Sequence, residues 1–285
     1  LISAGIEGIW TKAGDFSNNY IKPRISLSGT YEINKNNSFR LGYTLTNEAP
    51  PVGQLNPYNT SVDSLVIIQG NPKLLPTQNH ILNGSFTFNK WGFYFTPSIL
   101  YNIYADKIEP YGYSENDIYI STYQNIGKSK KLSVGGSASY RFKYGRVYAS
   151  AYHKVDYFTG LSPKKNFAWG GGLSLNYKKW SFVGDFEQSG NFYTAVSRMK
   201  QVTPYTHLQL IYKFSNNMYV SVALSNAIGR SRIQTFTYGE HYSSYNQQSK
   251  TYYPWVLFRY TLRKNAKKKI EVDNVVRSKE SGIAL

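Results

Sequence analysis

Apolar residues recur at every second position along most of the chain, the period of a strand whose two faces meet different surroundings. From Arg24 onward, Ile25, Leu27, Gly29, Tyr31 and Ile33 alternate with Ser26, Ser28, Thr30 and Glu32. The rhythm returns as Phe39, Leu41, Tyr43, Leu45, then as Leu82, Gly84, Phe86, Phe88, and again as Phe167, Trp169, Gly171, Leu173, Leu175, Tyr177. It resumes over 180–186, 208–214, 220–224 and 256–262. Helical spacing hardly occurs. These runs predict strands of about 10 to 14 residues, against 5 or 6 for an ordinary globular strand. A soluble sandwich also alternates, but its outer face is rich in Lys and Glu, whereas these polar positions are mostly Ser, Thr, Asn, Gly and Tyr. The apolar runs end in aromatic residues: Trp91 and Phe93, Trp180, Tyr212 and Phe214, and Tyr260. Aromatic girdles flanking an apolar band mark strands that cross a bilayer.

The connections are the second sign. Short turns are expected at 34–37, 89–90, 143–145, 178–179 and 215–217, and long loops at 47–78, 111–117, 158–165, 190–200 and 229–250. Short and long alternate, as they do when periplasmic turns are tight and outer loops are long. Reading 118–142 as one long strand with an irregularity at 127–131 preserves that parity. The expectation is an all-β fold, a transmembrane antiparallel up-and-down β-barrel segment of about twelve strands over 1–263. A basic tail, 264–285, would follow in the periplasm. The amino end, LISAGIEGIW, has no initiator Met, basic leader or cleavage site and reads as the interior of a longer protein.

Composition narrows the function. The 285 residues carry 33 Lys+Arg against 16 Asp+Glu, a formal net charge of +17. That balance raises nucleic acid as a partner, but the charge sits at turns, strand ends and the tail, not along one face, so nucleic acid is not expected. Basic barrel rims suit anionic lipid headgroups and lipopolysaccharide phosphates instead. The absence of cysteine removes disulfides, thiolate metal sites and thiol nucleophiles. His80, His153, His207 and His241 have no neighbour at ligand spacing, so neither a metal nor a cofactor is expected. Asp185 and Glu187 share the polar face of one strand, where Arg141, Arg146 and Lys154 are candidates to balance them. His241 and Ser243 are spaced for proton transfer on one strand face, but they fall in a long loop and carry no further catalytic context, so no enzyme is expected. The better binding candidates are loop tyrosines, Tyr111, Tyr113, Tyr238, Tyr242 and Tyr245, since a tyrosine offers a rigid apolar face with a polar tip.

Three stretches carry a resemblance. Gln54-Leu55-Asn56-Pro57 is followed by Gly70-Asn71-Pro72-Lys73-Leu74-Leu75-Pro76; Tyr123-Gln124-Asn125-Ile126-Gly127-Lys128 precedes Gly135-Gly136; and Asn226-Ala227-Ile228-Gly229 ends a strand. Physically these are turn formers. Together they resemble the "LNP … GNP-x-L-x-P" loop and two strand motifs of TonB-dependent outer-membrane receptors of the Bacteroidota "outer membrane protein β-barrel" type. The chain departs from that pattern at Ala49-Pro50-Pro51, Thr77 and Ser137. The resemblance implies a barrel of about 22 strands, an amino-terminal plug domain, and TonB-powered uptake of a siderophore, cobalamin, glycan or peptide. This chain would be its carboxy-terminal half, without plug or TonB box. A self-contained small pore or adhesin, and less readily an outer-membrane hydrolase, are the alternatives.

Overall fold

The computed structural model describes residues 1–13, 16–194, 197–201, 203–228, 230–238, 241–249 and 252–261. Nineteen strands and one short helical turn follow in order. The first are β1 (Ile2–Ala13), β2 (Phe16–Asn34), β3 (Asn37–Glu48), α1 (Val52–Leu55), β4 (Val66–Ile68), β5 (Thr77–Lys90) and β6 (Phe93–Ala105). Then come β7 (Ile108–Glu115), β8 (Ile118–Asn125), β9 (Ser129–Phe142), β10 (Gly145–Phe158), β11 (Lys164–Tyr177) and β12 (Trp180–Gln188). The last are β13 (Asn191–Tyr193), β14 (Ser197–Gln201), β15 (Tyr205–Ser215), β16 (Met218–Ser225), β17 (Arg230–Tyr238), β18 (His241–Ser249) and β19 (Tyr253–Tyr260). No helix among the described residues is long and apolar enough to cross a membrane, which does not bear on crossing by strands.

Twelve strands form one antiparallel sheet in the order β1-β2-β3-β5-β6-β9-β10-β11-β12-β15-β16-β19, each paired with its neighbour along the chain. This is the up-and-down arrangement expected from alternating short and long connections. The register puts the two residue classes on opposite faces throughout. Across β9, β10 and β11 the positions Ser139, Tyr148 and Gly172 share one face, and Val134, His153 and Phe167 the other. Burial follows that division in reverse of a soluble protein. The polar positions Asn102, Ser133, Ser139, Asn166, Ser181, Gln209 and Ser221 are buried on the inner face. The apolar positions Ile99, Val134, Phe167, Leu210, Val222 and Phe258 stand exposed on the outer one. An exposed apolar band this continuous is stable only against lipid.

At the narrow end the sheet turns tightly. The sequence places one of these turns at 89–90; β5 instead runs on through Lys90, and the turn is Trp91-Gly92, with φ of 55° and 79°. Both central residues of a type I′ hairpin need positive φ, and only a glycine at the second position makes that cheap. A Cβ on Gly92 would also lie 2.6 Å from the Arg141 carbonyl oxygen. The aromatic residues predicted at strand ends gather here on the outer face: Trp180 packs tilted against Tyr212 at 4.6 Å, and Tyr212 meets Phe214 edge-on at 4.9 Å between centroids.

At the wide end the long connections are themselves sheets. The expected single strand over 118–142 is two: β8 stops at Asn125, Gly127 takes φ +75°, and the chain resumes as β9 at Ser129. β9 stays in the twelve-stranded sheet, whereas β8 pairs with β7 and, in parallel, with β4. The parity survives because β7 and β8 form a hairpin standing on β6 and β9. A second, four-stranded sheet, β13-β14-β17-β18, joins the β12–β15 and β16–β19 connections. The two outer sheets meet, since β17 comes within 8 Å of β7, measured between Cα atoms, although their parent strands lie far apart in the twelve-stranded order. Residues 264–285, read as a tail, lie outside the described residues.

Candidate functional site

The residues singled out by motif assemble at the wide end. Gly70 donates its N–H to the Asn56 carbonyl at 2.6 Å and Asn71 to the Gln54 carbonyl at 2.7 Å, so Leu55-Asn56-Pro57 and Gly70-Asn71-Pro72 lie side by side. A Cβ at Gly70 would sit 2.4 Å from the Gln54 carbonyl oxygen, which makes glycine obligatory there. Leu55 and Leu74 are fully buried against each other, with Ile108 and Tyr123 packed on them. This small core anchors the motif loop at the end of the long connections.

The second motif closes on the first. The Asn125 side chain accepts from Leu75 N–H at 2.9 Å and donates to the Leu75 and Asp106 carbonyls at 3.0 and 2.6 Å. Asn71 Nδ2 donates to the Tyr123 carbonyl at 3.0 Å. On the other side Asn18 Nδ2 donates to the Pro72 carbonyl at 2.8 Å and the Tyr20 hydroxyl to the Leu74 carbonyl at 3.2 Å. Asn18 and Tyr20 belong to the inner face of β2 by register. The motif loop is therefore a strap held between β2 and the β7–β8 hairpin at the mouth. Its six predicted residues, Leu55, Asn56, Pro57, Gly70, Asn71 and Pro72, build the strap itself, and the chemistry they share is structural.

Of the predicted binding tyrosines, Tyr111 and Tyr113 lie on one face of β7 with ring centroids 5.6 Å apart. They present a partly exposed aromatic pair on the outer hairpin. Tyr238 ends β17, with His241 as its cross-strand partner; Tyr242 is paired with Thr237 and Tyr245 with Gln234 on β18. The side chains of Tyr238, Tyr242 and Tyr245 lie outside the described residues. The backbone nevertheless brings the two groups into one region, because β17 is the strand that approaches β7.

Below the mouth is a polar wall that no motif announced. By register Asn102 faces Lys131, Lys131 faces Asp156, and Ser133 faces Lys154, which in turn faces Asn166. Asn102, Ser133, Lys154, Asp156 and Asn166 are all buried. Asn166 donates to the Asn191 carbonyl at 2.8 Å, while Asn102 Oδ1, Asn166 Oδ1 and Ser133 Oγ have no hydrogen-bond partner among the described residues. Unmet acceptors at this depth suit a water-filled passage. Asp185 and Glu187 share the inner face as expected, and their cross-strand neighbours on β15 are His207 and Tyr205, with Lys154 two strands away. His207 is within 3.0 Å of Ser225 Oγ and stacks on Trp255. No group of three His, Asp or Glu suited to a metal occurs among the described residues. The signal for this wall was present as alternating Asn, Ser and Lys, but only the register says which strands adjoin.

An antiparallel sheet with lipid-ready side chains outside, polar ones inside, tight turns at one end and built-up loops at the other defines a strand-crossing membrane barrel wall. The chain belongs to the outer membrane protein beta-barrel family, whose profile matches residues 6–260. It is accordingly an outer-membrane protein. A comparison with curated proteins finds no match. Among solved structures, the siderophore receptor PirA from Pseudomonas aeruginosa superposes with a TM-score of 0.56 at 14% identity, covering 75% of this chain and 41% of that one. The copper transporter OprC gives 0.58 at 11% identity, covering 85% and 40%. A mutant ferric enterobactin receptor from Pseudomonas aeruginosa in complex with enterobactin gives 0.55 at 15% identity, covering 86% and 41%. The likeness is one of fold, and the chain spans about two fifths of the length of these structures.

Proposed function

We propose that this chain is the carboxy-terminal barrel portion of a TonB-dependent receptor of the Bacteroidota type, taking up a large nutrient such as a siderophore, cobalamin, glycan or peptide. The observation that carries this is the pair of sheet ends. β1 and β19 close the strand order on either side, and in a bilayer the unpaired N–H and C=O groups of such edges each cost several kcal/mol, of the order expected for unsatisfied groups in hydrocarbon. In this reading further strands cover them. The receptors of similar fold are more than twice as long as this chain, which leaves room for about ten more strands and a plug. In this reading the outer sheets capture ligand with Tyr111, Tyr113, Tyr238, Tyr242 and Tyr245, and the polar inner wall solvates its path. The plug gates that path, and TonB in the inner membrane supplies energy. Residues 264–285 form a basic periplasmic tail.

The test is the whole reading frame. Sequencing upstream of Leu1 is expected to show a plug domain and about ten amphipathic strands; a signal peptide directly before Leu1 would instead favour a self-contained pore or adhesin. Energised uptake by the full protein should then need TonB. Alanine at both Tyr242 and Tyr245 should weaken uptake without lowering surface abundance.

A further inference from the structure

β10 runs near the middle of the twelve-stranded sheet, with five strands beyond it on the shorter side, so its inner face has wall on both flanks. From the narrow end to the mouth that face reads Arg146, Tyr148, Ser150, Tyr152, Lys154 and Asp156. Both tyrosines lie over glycines of the neighbouring strands. A Cβ on Gly172, the partner of Tyr148, would meet the Tyr148 hydroxyl oxygen at 2.5 Å and Cζ at 2.7 Å. A Cβ on Gly135, the partner of Tyr152, would meet Tyr152 Cδ1 at 2.7 Å. Each tyrosine is half-buried, leaning on the wall and open to the interior. Between them Ser150 faces Ser137 and Gly170, which keeps the floor low. Four residues of strand set the two rings about 13 Å apart along the barrel.

Above Tyr152 the wall turns basic. Asp156 has Lys131 on one side and Lys164 on the other, and Lys154 precedes it on the inner face of its own strand. Three ammonium groups thus meet one carboxylate. None of the three makes an ion pair within 4 Å among the described residues, whereas Lys107 is paired with Glu109. Lys154 is only 6% exposed, and its cross-strand neighbour Ser133 has a hydroxyl with no hydrogen-bond partner among the described residues. Asp185 and Glu187, opposite Gly172 and Gly170, stand lower on the wall. A cation held this deep without a close counter-charge is costly, and an anionic ligand group would relieve it. The surface therefore suits a ligand that is elongated, offers flat apolar faces at intervals and carries negative charge. A compact ferric chelate would meet one ring at a time, and a peptide has no repeating flat face. An acidic oligosaccharide has all three properties: each pyranose turns a face of C–H groups to an aromatic ring, its hydroxyls donate and accept, and its carboxylates are charged.

We propose that the inner face of β10 binds a uronic-acid oligosaccharide, its rings stacking on Tyr152 and Tyr148 and a carboxylate held by Lys131, Lys154 and Lys164. This rests on the reading of the chain as part of an uptake receptor and names the ligand class of that receptor. Its test uses the full-length protein in mild detergent and isothermal calorimetry with three probes: hexagalacturonate, its methyl ester, and ferric enterobactin. Hexagalacturonate should bind, and the ester, which keeps the rings and loses the charge, should bind about tenfold more weakly. Tyr152→Ala should weaken hexagalacturonate about tenfold while Tyr152→Phe keeps it, because the ring face does the binding. Lys154→Met and Lys131→Gln should each bring hexagalacturonate toward the affinity of the ester. Tyr157→Ala, on the outer face of the same strand, is the control and should change nothing. Heat-modifiable migration reports folding for each variant. No binding of hexagalacturonate, equal binding of acid and ester, or wild-type affinity in Tyr152→Ala would overturn the site. Binding of ferric enterobactin alone would overturn it too while leaving the receptor reading intact, since that reading fails on a different result, uptake that does not need TonB.

Discussion

Asn125 shows how much one side chain can hold at the mouth. Its amide imitates a peptide group, bonding both backbone groups of Leu75 and the carbonyl of Asp106, so three chain segments meet on one residue. Asn125→Ala should free the strap, leaving backbone groups unpaired at about 1–3 kcal/mol. Limited proteolysis of the full protein should then cut within 49–76, where the wild type resists. Gly70→Ala should act in the same direction for a steric reason, with its Cβ driven against the Gln54 carbonyl. Both motifs were legible as turn chemistry and as resemblance. What stayed hidden was that Asn71 and Tyr123, 52 residues apart, bond to each other, because side-chain pairing across loops leaves no periodic trace.

Strands were the more legible scale. Alternation named the two faces of β11, and the register of its partner β10 carries the same division across, which gives a direct way to check them. Ala149 faces outward near the middle of that strand, and Ser150 faces inward opposite Gly170 and Ser137. Ala149→Arg should cost about 2–4 kcal/mol where the strand crosses the bilayer midplane, as expected for arginine in contact with lipid. Ser150→Arg, one residue on, should stay within about 1 kcal/mol because its side chain enters the aqueous interior. Refolding of the full protein into vesicles against urea measures both. A reversed order would exchange the faces and with them the whole topology. Alternation could not separate β8 from β9, since both alternate; the break at 126–128 is set by Gly127 and by the backbone bonds tying Ile126 and Gly127 to Lys107. The same limit placed the 89–90 turn two residues early, where Lys90 continued the pattern of β5.

At the scale of the molecule, β1 and β19 stand at the two ends of the strand order among the described residues. β1 carries Ile2, Ile6 and Trp10 exposed on the lipid side, and β19 carries Val256 and Phe258. Such edges template aggregation unless covered. If the chain is part of a larger barrel, as proposed, residues 1–285 expressed alone should aggregate on refolding or fail to show heat-modifiable migration, whereas the whole barrel should show it. The tyrosines of the mouth make a further prediction at this scale. Tyr111→Ala with Tyr113→Ala should reduce ligand uptake while leaving surface abundance unchanged, because the pair lies on a hairpin that carries none of the barrel's own pairing.

The sequence by itself determined the class of fold, the number of membrane strands and the sense of each face. Those properties follow from a period of two in a medium that rewards apolar side chains and punishes unpaired backbone. The tertiary structure alone decided that the long connections are sheets, that β4 joins β8 in parallel, and that the glycine-bearing motif is a strap between β2 and β8. It also decided which polar residues adjoin on the inner wall. These are pairings between segments distant along the chain, fixed by register and by individual hydrogen bonds, and neither is encoded in the period of any one strand.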